Sequence, residues 1–232
     1  TSLRRGLFTQ LISLRRTIAF KNPLLDFNSL IFLTHHKARY DHMCDQYYGV
    51  YARPGGSILK LENAFGHHPT VRDLVSDKTV KNGRLKGRTL NGGMFLFPEL
   101  SFDAQKLLFA YSECGRDLGV STPFERDTDK WSKESSFHIF SMDINGANLR
   151  QLTDGGWNDV TPCWMPNGDI TFISERRGGF LRCSGKRPCP NYTLHSMKAD
   201  GSNVVRISHH ETNEWHPTVN NDGMLLYTRW DY

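Results

Sequence analysis

Apolar positions along this chain follow two rhythms. Near the start, Leu7, Leu11, Leu14 and Ile18 recur at spacings of 4, 3 and 4, with arginines over much of the remainder. That spacing predicts an amphipathic helix and linker over residues 1–22 whose apolar face packs on a neighbour. Asn22-Pro23 ends it, because the residue before proline disfavours the helical region. From there on the runs are strand-length. Ser29–Thr34 reads as a buried inner strand, Ser57–Leu61 as a strand after the Pro54-Gly55-Gly56 turn, and Thr70–Ser76 as the end of the same unit. His35–Tyr48, rich in His, Asp, Cys and Tyr, reads as a long loop, as does Asp77–Gly93.

The strands follow a repeated grammar. Asp154–Arg177 runs as polar loop, proline, strand, Asn-Gly turn and second strand, and His209–Arg229 repeats it. Pro217 follows Pro162 by 55 residues (217 − 162), and Gly201 follows Gly146 by the same 55 (201 − 146). Two patterns on one period of this length, built of strands, predict a β-propeller. The expected fold is therefore all-β: part of a six-bladed-type propeller of four-stranded antiparallel blades, behind a short N-terminal helix. Residues 23–232 divide into blades at roughly 29–76, 94–153, 162–208 and 217–232, three blades and the start of a fourth. That number closes no ring, so the chain reads as a fragment. Pro98 precedes Pro162 by 64 residues (162 − 98), which places an insertion between Ser112 and Ser136. Asn145-Gly146, between two alternating strands, predicts a type I′ hairpin.

Composition narrows the function classes. The 232 residues, 38% hydrophobic and 12% aromatic, suffice for a real core. The formal charge of +5 is scattered, with dense basic pairs only at Arg4-Arg5, Arg15-Arg16 and Arg176-Arg177. Nucleic-acid binding needs a clustered stripe and a recognisable module, and neither is present. No apolar run reaches the roughly 18–20 residues of a transmembrane helix. The first residue is Thr1, so an original signal peptide would lie outside this sequence. Five cysteines without a CxxC pair argue against a zinc ribbon, and CxxCH, the c-type haem motif, is missing too. Cys183 and Cys189 either close a small disulfide loop or stand as two free thiols.

Several clusters carry candidate chemistry. His42, Cys44 and Asp45 are three metal-competent side chains within four residues, suited to zinc, copper or a haem iron, or else solvated and packed in a loop. His209 and His210 form a second such group, with Glu211, Glu214 and His216 close by. Asp159 and Glu214 hold equivalent positions, which would turn both carboxylates toward one channel mouth and a cationic ligand; alternatively they bond loop backbone. Arg176 and Arg229 follow equivalent strands and serve either anion recognition or ion pairs between blades.

The Leu152-Thr153-Asp154, Asn158-Asp159, Pro162 and Pro166-Asn167-Gly168 series resembles the TolB-like (PD40-type) propeller repeat. More narrowly, Asn22–Phe27, His42–Gly49, Arg53–Gly56, Ile173–Gly179, His210–Pro217 and Tyr227–Tyr232 resemble the family of hydrazine synthase alpha subunit middle domains. The resemblance covers nearly the whole chain from Asn22. It implies a bacterial, periplasmic or otherwise extracytoplasmic protein, within multidomain chains that often carry cytochrome-like modules. It does not carry over the chemistry, since hydrazine synthesis needs haem. The expected role is a binding or scaffold module that holds or completes a partner redox domain and is not catalytic alone. Two alternatives stand beside it: a contributor of ligands from His42/Cys44 or His209–His216 to zinc, or to haem of a flanking domain, and a peptide- or glycan-binding propeller.

Overall fold

The structure, a computed structural model, describes residues 2–39, 45–114, 132–181 and 189–231. Among these, one helix, α1 (Ser2–Ala19), precedes four sheets. The first holds β1 (Ser29–His35), β2 (Gly56–Glu62) and β3 (Thr70–Asp73) in that order. The second is β4 (Met94–Leu100), β5 (Lys106–Ser112), β6 (His138–Asp143) and β7 (Arg150–Gln151). The third repeats that order with β8 (Asp159–Trp164), β9 (Ile170–Ser174), β10 (Thr193–Met197) and β11 (Val205–Arg206), and the fourth pairs β12 (Glu214–Val219) with β13 (Leu225–Arg229). Consecutive strands pair antiparallel within the last three sheets. These are propeller blades.

The chain divides into two compact units, Thr1–Phe32 with Leu59–Arg72, and Leu33–Ile58 with Asp73–Tyr232. In the first, α1 forms where the spacing predicts it, but it buries nothing. Leu7, Leu11, Leu14 and Ile18 are each at least 55% exposed, so the expected packing of this face is not found. The anchoring contacts lie at its end: Arg16 donates to Gly66 O, and Phe20 meets Phe65 edge-on, as does Phe27. The apolar stripe itself has no surface to meet within its unit.

The second unit holds the core. Leu108, Ile139 and Leu152 of one blade meet Trp164, Ile170, Phe172 and Met197 of the next. On the other face of the third sheet, Val160, Ile173 and Leu194 join a larger cluster with Met94, Phe137 and Trp215. Side chains alternate across a strand, so each blade serves both clusters. The second cluster also takes in Tyr47, Tyr48, Val50 and Tyr51. Two short 3-10 turns, Asp45–Tyr47 and Gly49–Tyr51, carry them. What the sequence presents as the end of a polar loop is thus a buried plug, because Tyr47, Tyr48, Val50, Tyr51 and Ala52 all pack into the cluster that the blades share.

Two further expectations change. Leu152 N bonds Ile139 O, Ile207 N bonds Leu194 O, and Leu74 N bonds Ile58 O. By that signature β2 and β3 are third and fourth strands of their blade, and β1 is a second strand rather than the buried inner one. Its burial agrees, with no fully buried residue. The hairpin turns are not type I′ either. Gly146 N bonds Asp143 O with Gly146 at φ 87, while Asn145 keeps negative φ. Met165–Gly168, Lys198–Gly201 and Asn220–Gly223 repeat the turn. Each is a type I turn closed by glycine in the left-handed region, which leaves Asn145 unstrained.

Candidate functional site

The prolines that mark the repeat are bulge residues. The β4–β5, β8–β9 and β12–β13 registers skip at Leu96/Glu99, Val160/Cys163 and Trp215/Thr218. Inside each skip one residue takes positive φ, Phe97 at 54, Thr161 at 51 and His216 at 51, and proline follows it. Proline cannot donate to a ladder and is accommodated at a bulge. A non-glycine residue in this region is costly, more so when β-branched, so three recurrences mark a built feature. Consequently Asp159 and Glu214, expected in loops, begin strands β8 and β12.

The bulges present different side chains from one backbone position. The Phe97 and His216 rings lie 5.9 Å apart. Tyr47 from the plug stacks on Phe97 at 5.6 Å, and its hydroxyl lies 2.7 Å from His216 Nε2. Partial burial lowers the His216 pKa, which favours the neutral ring. The Thr161 hydroxyl is buried without a partner among the described residues. Phe97, Tyr47 and His216 together form a half-covered aromatic and imidazole surface, whereas Thr161 stays buried.

Beneath it is a polar bracket. Asn158 Oδ1 accepts from Gly49 N and Phe137 N, both at 2.9 Å. Asn158 N and Nδ2 both donate to Glu175 Oε1, which the Tyr192 hydroxyl also approaches at 3.4 Å. Burial pushes the Glu175 carboxyl up to about 8 against these donors. One blade later, Asn213 Oδ1 accepts from Tyr192 N at 2.8 Å, and Trp230 stands where Glu175 stood.

The sequence-predicted residues fall around this bracket without forming one mouth. Asp159 is fully buried and pairs with Arg176 at 2.6 Å inside its own blade, not between blades. Glu214 has the equivalent backbone position, but its longer side chain turns inward to accept from Leu194 N at 3.0 Å and from the Ser208 hydroxyl. Arg229 pairs with Asp231 at 2.6 Å on the surface. His209 meets Arg206, whereas His210 meets Thr212 and lies 3.6 Å from Asp231. Among the described residues no group of three His, Cys, Asp or Glu side chains could hold a metal. His42, Cys44, the Asp45 side chain and Cys183 lie outside the described residues.

Sequence reasoning missed Glu175, Phe97 and Tyr47. Comparing the two repeats would have found Glu175, since Trp230 replaces it. Phe97 sat in a copy displaced by the insertion, and Tyr47 belongs to no repeat.

No model of a known protein family matches the sequence, and no curated protein aligns with it. Among solved structures, hydrazine synthase of Kuenenia stuttgartiensis superimposes with a TM-score of 0.53 at 14% identity, over 86% of this chain and 27% of that one. A putative TolB from Agrobacterium tumefaciens matches at 0.47 and 18% identity, over 76% and 46% of the two chains. TolB from Acinetobacter baumannii matches at 0.44 and 12%, over 88% and 39%. The chain therefore spans less than half the length of each. Among the described residues no helix is long and apolar enough to cross a membrane. Identities this low speak for architecture alone: the propeller fold of these blades is one this chain shares with hydrazine synthase.

Proposed function

We propose that this chain is a binding module of a larger extracytoplasmic protein, holding or completing a partner redox domain at the inner edge of its blades. The observation that carries this reading is the triple bulge. Phe97, Thr161 and His216 keep one strained backbone conformation while differing in chemistry. Architecture alone would favour glycine or asparagine there; a surface that must present particular groups accounts for the strain. Exposed His216 and part-buried Phe97, backed by Tyr47, give the aromatic and hydrogen-bonding mixture common at interface hot spots.

The test uses the full-length protein that contains this segment, with its redox domain also made separately. Phe97→Ala with His216→Ala should weaken association of the two at least tenfold and leave the melting temperature of the propeller within a few degrees. Unchanged association would refute the reading. A direct share in catalysis predicts instead bound zinc or iron that Cys44→Ser removes. A peptide- or glycan-binding propeller predicts ligand-induced stabilisation in this chain without the redox domain.

A further inference from the structure

A cavity of about 220 Å³ opens beside the end of β9, lined by Trp157, Glu175, Gly178, Gly179, Phe180 and Pro190. Trp157 and Phe180 are 42% and 55% exposed, so two large aromatic groups stand at its mouth rather than in the core. Gly178 and Gly179 take φ of 76 and 90, and a Cβ at Gly178 would meet nothing within 4 Å. The wall is glycine for its backbone path, and it stays open. Glu175 is the acidic group in the lining and is only 4% exposed.

The donors that stabilise Glu175 all converge on one oxygen, Oε1, from Asn158 N, Asn158 Nδ2 and the Tyr192 hydroxyl. Oε2 has no hydrogen bond among the described residues. Among the described residues Arg176 pairs with Asp159, while Arg177 Nη1 donates to Gly178 O at 3.2 Å. Among the described residues the Glu175 carboxyl has one oxygen spare and no ion pair, a setting that suits a donor bringing positive charge. Two aromatic side chains in the lining favour the same ligand, because a cation is drawn to a π face.

We propose that this cavity binds a primary organic ammonium group, with Glu175 Oε2 as its charged partner and Trp157 and Phe180 as its aromatic flanks. The ligand is a free alkylamine or the terminus of a lysine side chain. The site lies apart from the inner-edge bulges and does not depend on the partner proposed there. Binding would ionise Glu175 beside Asp159, Tyr192 and Arg177, so uptake at neutral pH releases a proton from the carboxyl to solvent.

Titration calorimetry of the full chain tests this with n-butylammonium, a lysine-containing tripeptide, n-butanol and glucose. Saturable binding of either amine is expected, and the tighter of the two identifies the source. At pH 7 the heat should depend on the ionisation enthalpy of the buffer. Glu175→Gln keeps an acceptor for Asn158 and should cut affinity at least tenfold. Trp157→Ala, at a position outside the core, should cut it severalfold. Absence of amine binding overturns the proposal, as does n-butanol or glucose binding as well as the amines. Unchanged amine affinity in Trp157→Ala, or in folded Glu175→Gln, does so too.

Discussion

Asn158 and Gly49 are 109 positions apart in sequence, and Asn158 Oδ1 accepts the Gly49 N–H at 2.9 Å. Through this bond the residue that precedes β8 holds the plug that carries Tyr47 to the inner edge. The position admits only glycine for reasons of space: a Cβ on Gly49 would stand 1.9 Å from Ser135 O. The same oxygen takes the Phe137 N–H, so one amide links three segments.

That double acceptance separates Asn158 from its counterpart in the next blade. Asn158→Ala strands two buried N–H groups, each worth about 1–3 kcal/mol when left unpaired. Asn213→Ala strands one, from Tyr192, and also deletes an Nδ2 that is already buried without a partner. Asn158→Ala should therefore cost roughly 2–4 kcal/mol and Asn213→Ala roughly 1–2 kcal/mol. Urea midpoints at constant m-value measure both. Equal costs would mean that the plug contributes nothing through this bond.

Glu175 makes stability depend on pH in a definite direction. Its pKa rises from 4.5 to about 8 on folding, so the folded state binds the extra proton between those values. The contribution is most favourable below pH 4.5 and is lost as pH rises toward 8. Buried His138 and His195, with pKa values lowered by burial, act oppositely near and below their ordinary 6.5. The difference between wild type and Glu175→Gln isolates the carboxyl. Relative to the variant, wild type should lose on the order of a few kcal/mol from pH 5 to pH 8. Parallel stability curves over that window would show an unshifted acid.

Most of the blade architecture was legible in the sequence, and the reason is local. Pro162, Pro217 and the Asn167-Gly168 and Asp222-Gly223 turns are backbone requirements, and a backbone requirement repeats wherever the blade does. The same logic explains the misplacement of Asp159 and Glu214. Proline reads as a strand start, whereas here it sits inside the strand at a bulge that only pairing across the sheet reveals. The site was less legible because it is assembled over long separations, as with Tyr47 on His216 and Gly49 on Asn158. Nor does periodicity tell whether an apolar stripe finds a partner, and the stripe of α1 finds none in its unit.

The exposed stripe gives a prediction of small effect. Leu7→Ser and Leu11→Ser change residues that are 57% and 55% exposed. Neither deletes a buried contact, so each should move stability by less than about 0.5 kcal/mol. A core leucine such as Leu108, fully buried, should cost about 2–5 kcal/mol as Leu108→Ala. Thermal melts of the three variants make the comparison. A loss above 1 kcal/mol in the helix variants would reveal packing of this face in solution.

The bulge conformation predicts an inversion of the usual order of alanine and glycine. At an ordinary strand position glycine is worse than alanine by roughly 0.5–1 kcal/mol, because it has more backbone freedom to lose. Thr161 sits at φ 51, where a Cβ crowds the carbonyl oxygen and costs about 1–2 kcal/mol. Both replacements delete the same hydroxyl and methyl, and only glycine also removes the Cβ. Thr161→Gly should therefore be more stable than Thr161→Ala by about 1 kcal/mol. His216 has the same φ and should show the same order. Guanidinium midpoints of the paired variants decide it. Alanine equal to or better than glycine at both positions would remove the strain, and with it the argument that these blades keep a costly backbone to present chosen side chains.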